Sequence, residues 1–187
     1  VVISVVGSAR TLAAAYNRDR QLLGSKVKTV LLNAGSTGGF LEYNVEMDRA
    51  AYVSLFRSGL PIQWYPCATS SSPFDEDEHN TFWRTTHSAI FEKLPSPMRA
   101  WFTHSLSGNL RGDIIRALHE QGKWSPWDNI LAAPARNMWS IASFVMAAGR
   151  ELAWTDEGWR FVQSEGLPVD AKRQRLELEP VSVIVGD

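Results

Sequence analysis

Val27-Lys28-Thr29-Val30-Leu31-Leu32-Asn33-Ala34-Gly35, followed by Leu41-Glu42-Tyr43-Asn44-Val45-Glu46-Met47-Asp48-Arg49-Ala50-Ala51, decides how this chain is read. The apolar run predicts a strand over Val27–Leu32, and Asn33-Ala34-Gly35 breaks it. A glycine-containing loop then leads to two polar side chains two positions apart, Glu42 and Asn44. Asp48 is a good N-cap for a helix over Arg49–Arg57 that Gly59 stops. Ala51, Leu55 and either Tyr52 or Phe56 supply its inward stripe. Polar groups between a strand's carboxyl end and the next helix are where α/β folds put ligand sites.

Working outward, Val1-Val2-Ile3-Ser4-Val5-Val6 reads as a strand ended by Gly7. Its continuous β-branched character suits a parallel strand covered on both faces. Thr11–Leu23 reads as a helix ended by Gly24, and Pro61–Tyr65 as a third strand broken by Pro66. The β-α-β-α-β order predicts a parallel sheet with right-handed crossovers. A domain rarely begins in the middle of its own sheet. The chain is therefore expected to be a piece of a longer one, or to have its sheet completed by another chain.

Beyond residue 66 the pattern is weaker. Residues 67–78 read as a loop whose Asp75-Glu76-Asp77-Glu78 run is expected to be a solvated helix start. Helices are expected from about His79 to Glu92 and from Pro97 to about His119. Trp124–Asn129 reads as a turn feeding a short helix, Ile130–Ala133, and Arg136–Gly149 is ambiguous between helix and irregular chain. Trp159–Ser164 and Leu176–Val185 are expected to form an antiparallel pair at the sheet edge. The whole is read as one α/β domain over residues 1–187, with a mostly helical insert at 67–123.

The 187 residues suffice for one domain with a real core. A net charge of −1 gives no electrostatic reason to expect nucleic acid or an anionic membrane as partner. Lys172-Arg173-Gln174-Arg175 is the one basic cluster, expected to coat an exposed turn or edge strand. No apolar run approaches the roughly 20 residues of a membrane span. Cys67 is the only cysteine, so no internal disulfide forms. That allows a reducing compartment and favours the cytoplasm without fixing it. Cys67 itself is expected to be a buried bystander, since a nucleophile would need a base beside it. The four histidines show no metal-ligand spacing with it. Eight tryptophans are expected mainly in packing, with the sharper alternative that one or two stack on a flat ligand such as a base.

Several of these segments, in order, resemble one family. Val5-Val6-Gly7-Ser8-Ala9-Arg10-Thr11-Leu12-Ala13 resembles the strand, Gly-Pro-Leu-Thr-Asn turn and helix start of the nucleoside hydrolases, the inosine–uridine-preferring N-ribohydrolases. Val30-Leu31-Leu32-Asn33-Ala34-Gly35 resembles their strand ending in Met-Gly-Gly. Glu42 to Ala51 is similar to their Glu-Phe-Asn-Ile-x-x-Asp-Pro-Glu-Ala-Ala, and Phe56-Arg57-Ser58-Gly59-Leu60-Pro61-Ile62 to the helix end and strand that follow. Trp127-Asp128 stands where the family has a His-Asp pair.

The resemblance implies a doubly wound, mainly parallel sheet, present here as its C-terminal portion. It implies hydrolysis of the N-glycosidic bond of a ribonucleoside or related riboside. In that family a Ca²⁺ ion holds the ribose hydroxyls and activates water. By position, Glu42 and Asn44 would hold ribose hydroxyls. Asn33 and Trp127 would face the substrate where the family has Met and His. Asp128 and the backbone carbonyl of Arg10 would ligate Ca²⁺. The family's Asp-x-Asp-x-x-x-Asp-Asp motif, source of most metal ligands and of the general base, has no counterpart in these residues. Three functions follow as expectations: an N-ribohydrolase, a metal-free or non-catalytic riboside binder, or a structural chain that uses its Trp-rich half as an interface. The expected partners are a small-molecule riboside, the strand that completes the sheet and a second copy of the chain.

Overall fold

The computed structural model describes residues 1–76, 80–106, 115, 127–133, 135–165, 167, 168, 170–174 and 178–183. They form two compact units, Val1–Trp83 with Trp139–Asp187, and Arg84–Met138.

The first unit is built on a parallel sheet of β1 (Val2–Val5), β2 (Thr29–Asn33) and β3 (Ile62–Tyr65), in that order. Val2 pairs with Thr29 and Val5 with Leu32, while Val30 pairs with Ile62 and Asn33 with Tyr65. Between the strands run α1 (Arg10–Arg18), α2 (Arg20–Lys26), a short α3 (Tyr43–Glu46) and α4 (Arg49–Phe56). Alternation along the strands divides the core in two. Val5, Val30 and Leu32 pack with Ala9, Leu12 and Ala13 around α1 and with Ala51 and Leu55 of α4. Leu31 and Tyr65 face the other way, onto Ala142 and Met146. Those two belong to helix Ile141–Ala147, numbered α8 below.

The stripe of α4 is the expected one: Ala51 and Leu55 are buried, and both Tyr52 and Phe56 pack against the same core. The Asp48 carboxylate caps the helix by accepting from the Ala51 N–H. Its start is also tied to α1, because the Arg10 guanidinium lies 2.8 Å from Asp48 and donates to the Met47 carbonyl.

Three expectations for this half are corrected. The helix after β1 does not run to Gly24. Asp19 takes non-helical φ/ψ, and its carboxylate accepts from the Leu22 N–H, so it ends α1 and starts α2 with Gly24 inside. Among the described residues β1 is covered on one face only: Val2 and Val6 are each 55% exposed, because the second helical layer packs on Leu31 of β2 and Tyr65 of β3. Asp75 does not begin a helix. Its carboxylate accepts from Thr69 and Ser71 and folds the 69–75 loop on itself.

The first unit also contains a small antiparallel sheet. β6 (Arg150–Thr155) pairs with β7 (Gly158–Gln163), Trp154 lying opposite Trp159, and β8 (Arg173–Gln174) pairs with β6 on its other side. This corrects the tail. The strand before it pairs with the 159–164 run, and the pair is separate from the parallel sheet; of the expected 176–185 strand the described residues, 178–183, form no strand, and the others lie outside the described residues. β6 escapes a sequence reading because Arg150-Glu151-Leu152-Ala153-Trp154-Thr155 carries only one β-branched residue. Arg173 lies on an edge strand as expected, 3.5 Å from the buried Glu151.

The second unit begins within β4 (Trp83–Thr85), which pairs with β5 (Arg136–Met138). Helices α5 (His87–Phe91), α6 (Ser96–Leu106) and α7 (Trp127–Leu131) complete it. The helix expected from His79 therefore begins at His87, where Thr86 caps it by accepting from the Ala89 N–H, and strand precedes it. His79, Trp124 and most of the expected helix end up to His119 lie outside the described residues. The buried His87 ring bridges the unit: Nδ1 is 2.9 Å from the Ile130 carbonyl and Nε2 accepts from Arg136. Among the described residues no helix is long and apolar enough to cross a membrane.

Candidate active-site cleft

The three parallel strands point their carboxyl ends at one cleft in the first unit, with a volume of about 420 Å³. Val6 follows β1, Asn33 ends β2 and Cys67 follows β3, and all three line it. The loops after β2 and β3 run side by side above the sheet, with Cys67 donating its N–H to the Gly35 carbonyl and Thr37 to that of Ala68. Gly35 sits at φ +89°, and a Cβ there would clash with the Tyr52 hydroxyl. The chain therefore turns where only glycine fits.

That turn aims the Gly35 N–H at Glu42. The buried Glu42 carboxylate accepts from the Gly35 N–H at 2.9 Å, the Asn44 N–H at 3.0 Å and the Asn44 side-chain amide at 2.9 Å. It caps α3 in doing so, which is why two polar side chains two positions apart stand together. A carboxylate offers about four acceptor positions. Three are taken here, leaving one for a ligand. Glu46, one helical turn further on, also lines the cleft and is exposed.

Asn33 forms part of the floor. It is 1% exposed, and its amide N–H₂ donates to the Val5 and Leu31 carbonyls, tying β1 to β2. Its carbonyl oxygen has no hydrogen-bond partner among the described residues. Beside it, burial first and the Glu42 charge second push the Cys67 thiol up to about 12. Cys67 is thus protonated at neutral pH, as befits a bystander rather than a nucleophile. The same two causes, in the same order, raise the Tyr52 hydroxyl.

The remaining wall is aromatic. Phe40, Tyr43, Phe74 and Trp139 line it. Trp139 packs against Phe74 and Phe82, with ring centroids 6.0 and 6.3 Å apart, and donates its indole N–H to the Pro73 carbonyl. Trp139 and Ser140 escape a sequence reading because they lie in the stretch with no clear period, far along the chain from β2. The one signal for them is the excess of tryptophan.

The cleft thus brings together Glu42, Asn44 and Asn33. Arg10, Trp127 and Asp128 are not among its lining residues. Arg10 opens α1 with its guanidinium committed to Asp48 and Met47. Trp127 and Asp128 belong to α7 of the second unit, where Trp127 is half-buried beside Phe91 and under the Arg99 guanidinium, and Asp128 is exposed. These residues do not fit a Ca²⁺ ion, which takes six to eight oxygens. Among the described residues no three His, Cys, Asp or Glu side chains come together to hold a metal. The Glu42 carboxylate is already engaged by N–H donors.

Compared with protein-family models, with curated proteins and with solved structures, the chain finds no match in any of the three.

Proposed function

We propose that the cleft binds a ribonucleoside or related riboside. On this reading the three-stranded sheet is part of a doubly wound sheet of nucleoside-hydrolase type. The observation that carries it is the pairing of Glu42 with Asn44 at the strand carboxyl ends, in a cleft that aromatic side chains also line. A sugar needs acceptors and donors for its vicinal hydroxyls, which a carboxylate and an amide provide. A base needs a flat apolar surface, which Trp139 and Phe74 provide. A volume of about 420 Å³ falls within the ordinary range of small-molecule clefts.

The chemistry that follows from the resemblance is cleavage of the N-glycosidic bond. In this cleft Glu42 and Asn44 orient the sugar, and the carboxylate stabilises positive charge developing on it. No step runs through a calcium ion, because the described residues do not assemble a donor set for one.

The test is calorimetric titration of the chain with inosine and with uridine, together with release of nitrophenol from a nitrophenyl riboside, each with and without added Ca²⁺. Binding is expected without the metal, and Asn44→Ala and Glu42→Gln are each expected to weaken it about tenfold or more, the loss of one or two hydrogen bonds to a charged group. Riboside affinity that ignores both substitutions would end the proposal. Turnover that appears only with Ca²⁺ would restore the metal-dependent reading.

A further inference from the structure

We infer that Asn33 is a specificity-determining residue of the cleft: its side-chain carbonyl accepts a hydrogen bond from one hydroxyl of the bound sugar, so that the site rejects the deoxy sugar lacking that hydroxyl. The inference rests on the riboside reading and names the group that tells the ligand from its deoxy analogues.

The Asn33 amide can act in one sense only. Both of its N–H bonds are spent, on the Val5 carbonyl at 3.2 Å and the Leu31 carbonyl at 3.3 Å. That fixes which end of the amide is nitrogen and leaves the oxygen to accept. Leu31 precedes Asn33 on β2, and Val5 ends β1 opposite Leu32. The N–H₂ end therefore points back along the sheet. The oxygen is left toward the strand carboxyl ends, where Asn33 lines the cleft.

Polar hydrogens nearby are already committed. The hydroxyl of Tyr65, the β3 residue paired with Asn33, lies 3.3 Å from both the Gln63 amide oxygen and the Met146 sulfur. The Cys67 thiol, two residues on, donates to the Tyr65 carbonyl at 3.7 Å. The Asn33 oxygen has no partner among the described residues, in a side chain that is 1% exposed. An acceptor buried without a donor is costly, and a ligand O–H seated on the floor removes that cost.

The same sugar can reach Glu42. Gly35, whose N–H holds the Glu42 carboxylate, follows Asn33 by two residues, which is at most about 7 Å of chain. A pentose spreads its hydroxyls over a comparable span, so one hydroxyl can bond Glu42 and another Asn33. A site built around a buried acceptor discriminates strongly against the analogue that lacks the donor, because the acceptor is then left unpaired.

The experiment is calorimetric titration of the whole chain with adenosine and with its 2′-deoxy, 3′-deoxy and 5′-deoxy analogues, repeated on Asn33→Leu. The unsubstituted chain is expected to bind at least one deoxy analogue tenfold or more weakly than adenosine. In Asn33→Leu one such penalty is expected to shrink to threefold or less, while the others stay within twofold of their values. The substitution also strips the Val5 and Leu31 carbonyls of their donor, so a second measurement needs no variant. The side-chain amide resonance of Asn33, followed by nitrogen NMR, is expected to shift with adenosine and to stay in place with the rejected analogue. Four ligands that bind alike, penalties that all survive in Asn33→Leu, or an amide resonance that adenosine leaves unmoved would each overturn the inference while the riboside reading stands. Adenosine that does not bind at all would end both.

Discussion

Gly35 does two things that no other residue can do together. Its φ of +89° turns the chain so that its N–H meets Glu42, and its missing Cβ leaves room for the Tyr52 hydroxyl. Gly35→Ala is expected to lower stability by at least about 2 kcal/mol, the combined effect of backbone strain and a clash. Urea unfolding measures this. Adding Tyr52→Phe should recover part of the loss, because the clash goes and the strain stays. Cys67 gives a second expectation at this scale. Its native thiol keeps a proton up to about pH 12, while an unfolded thiol releases it near 9. The group's folded pKa is raised, so its contribution is whole below pH 9 and disappears as pH climbs toward 12. Stability should therefore fall over that alkaline window, and Cys67→Ala should flatten part of the slope. Tyr52, raised in the same direction, steepens the fall above pH 10. A slope identical in the two proteins would show that the thiol is not held as described.

At the scale of elements, α4 shows what a sequence makes legible. Its N-cap, its stripe and its stop are all local signals, and Asp48, Ala51, Leu55 and Gly59 occupy the places those signals assign. Leu55 is 1% exposed in the main core, so Leu55→Ala is expected to cost about 2–5 kcal/mol in chemical denaturation, with the range set by how far the site collapses. The parallel order of β1, β2 and β3 is legible for the same reason, since apolar runs alternate with helical ones. The break between α1 and α2 is not. It depends on one Asp carboxylate choosing a backbone N–H three residues on over solvent, and helical propensity alone does not predict that choice. The cleft is half legible. Glu42 and Asn44 announce themselves by spacing, whereas Trp139 reaches the same cleft only through tertiary packing on Phe74 and Phe82.

For the whole molecule, the exposed apolar residues of β1, the outer strand among the described residues, bear on behaviour in solution. Val1, Val2 and Val6 are exposed along β1, which pairs with β2 on one side. Such an edge invites pairing with another strand. The chain is expected to self-associate as its concentration rises, and Val2→Lys should shift sedimentation velocity profiles toward the single chain. Profiles that ignore the substitution would place any association elsewhere. The edge is hidden in the sequence because a β-branched run looks the same whether one face or two are covered. The position of Glu42 has a consequence for ancestry as well. Two of its three anchors are main-chain amides, and the third is the side chain of Asn44. Drift at almost every other position leaves that acid where it is, provided the Gly35 turn survives. A lineage descended from this protein could lose nearly all recognisable identity and still preserve a glycine, an acid and an amide at fixed intervals. Distant kin are better sought by those three letters than by overall likeness.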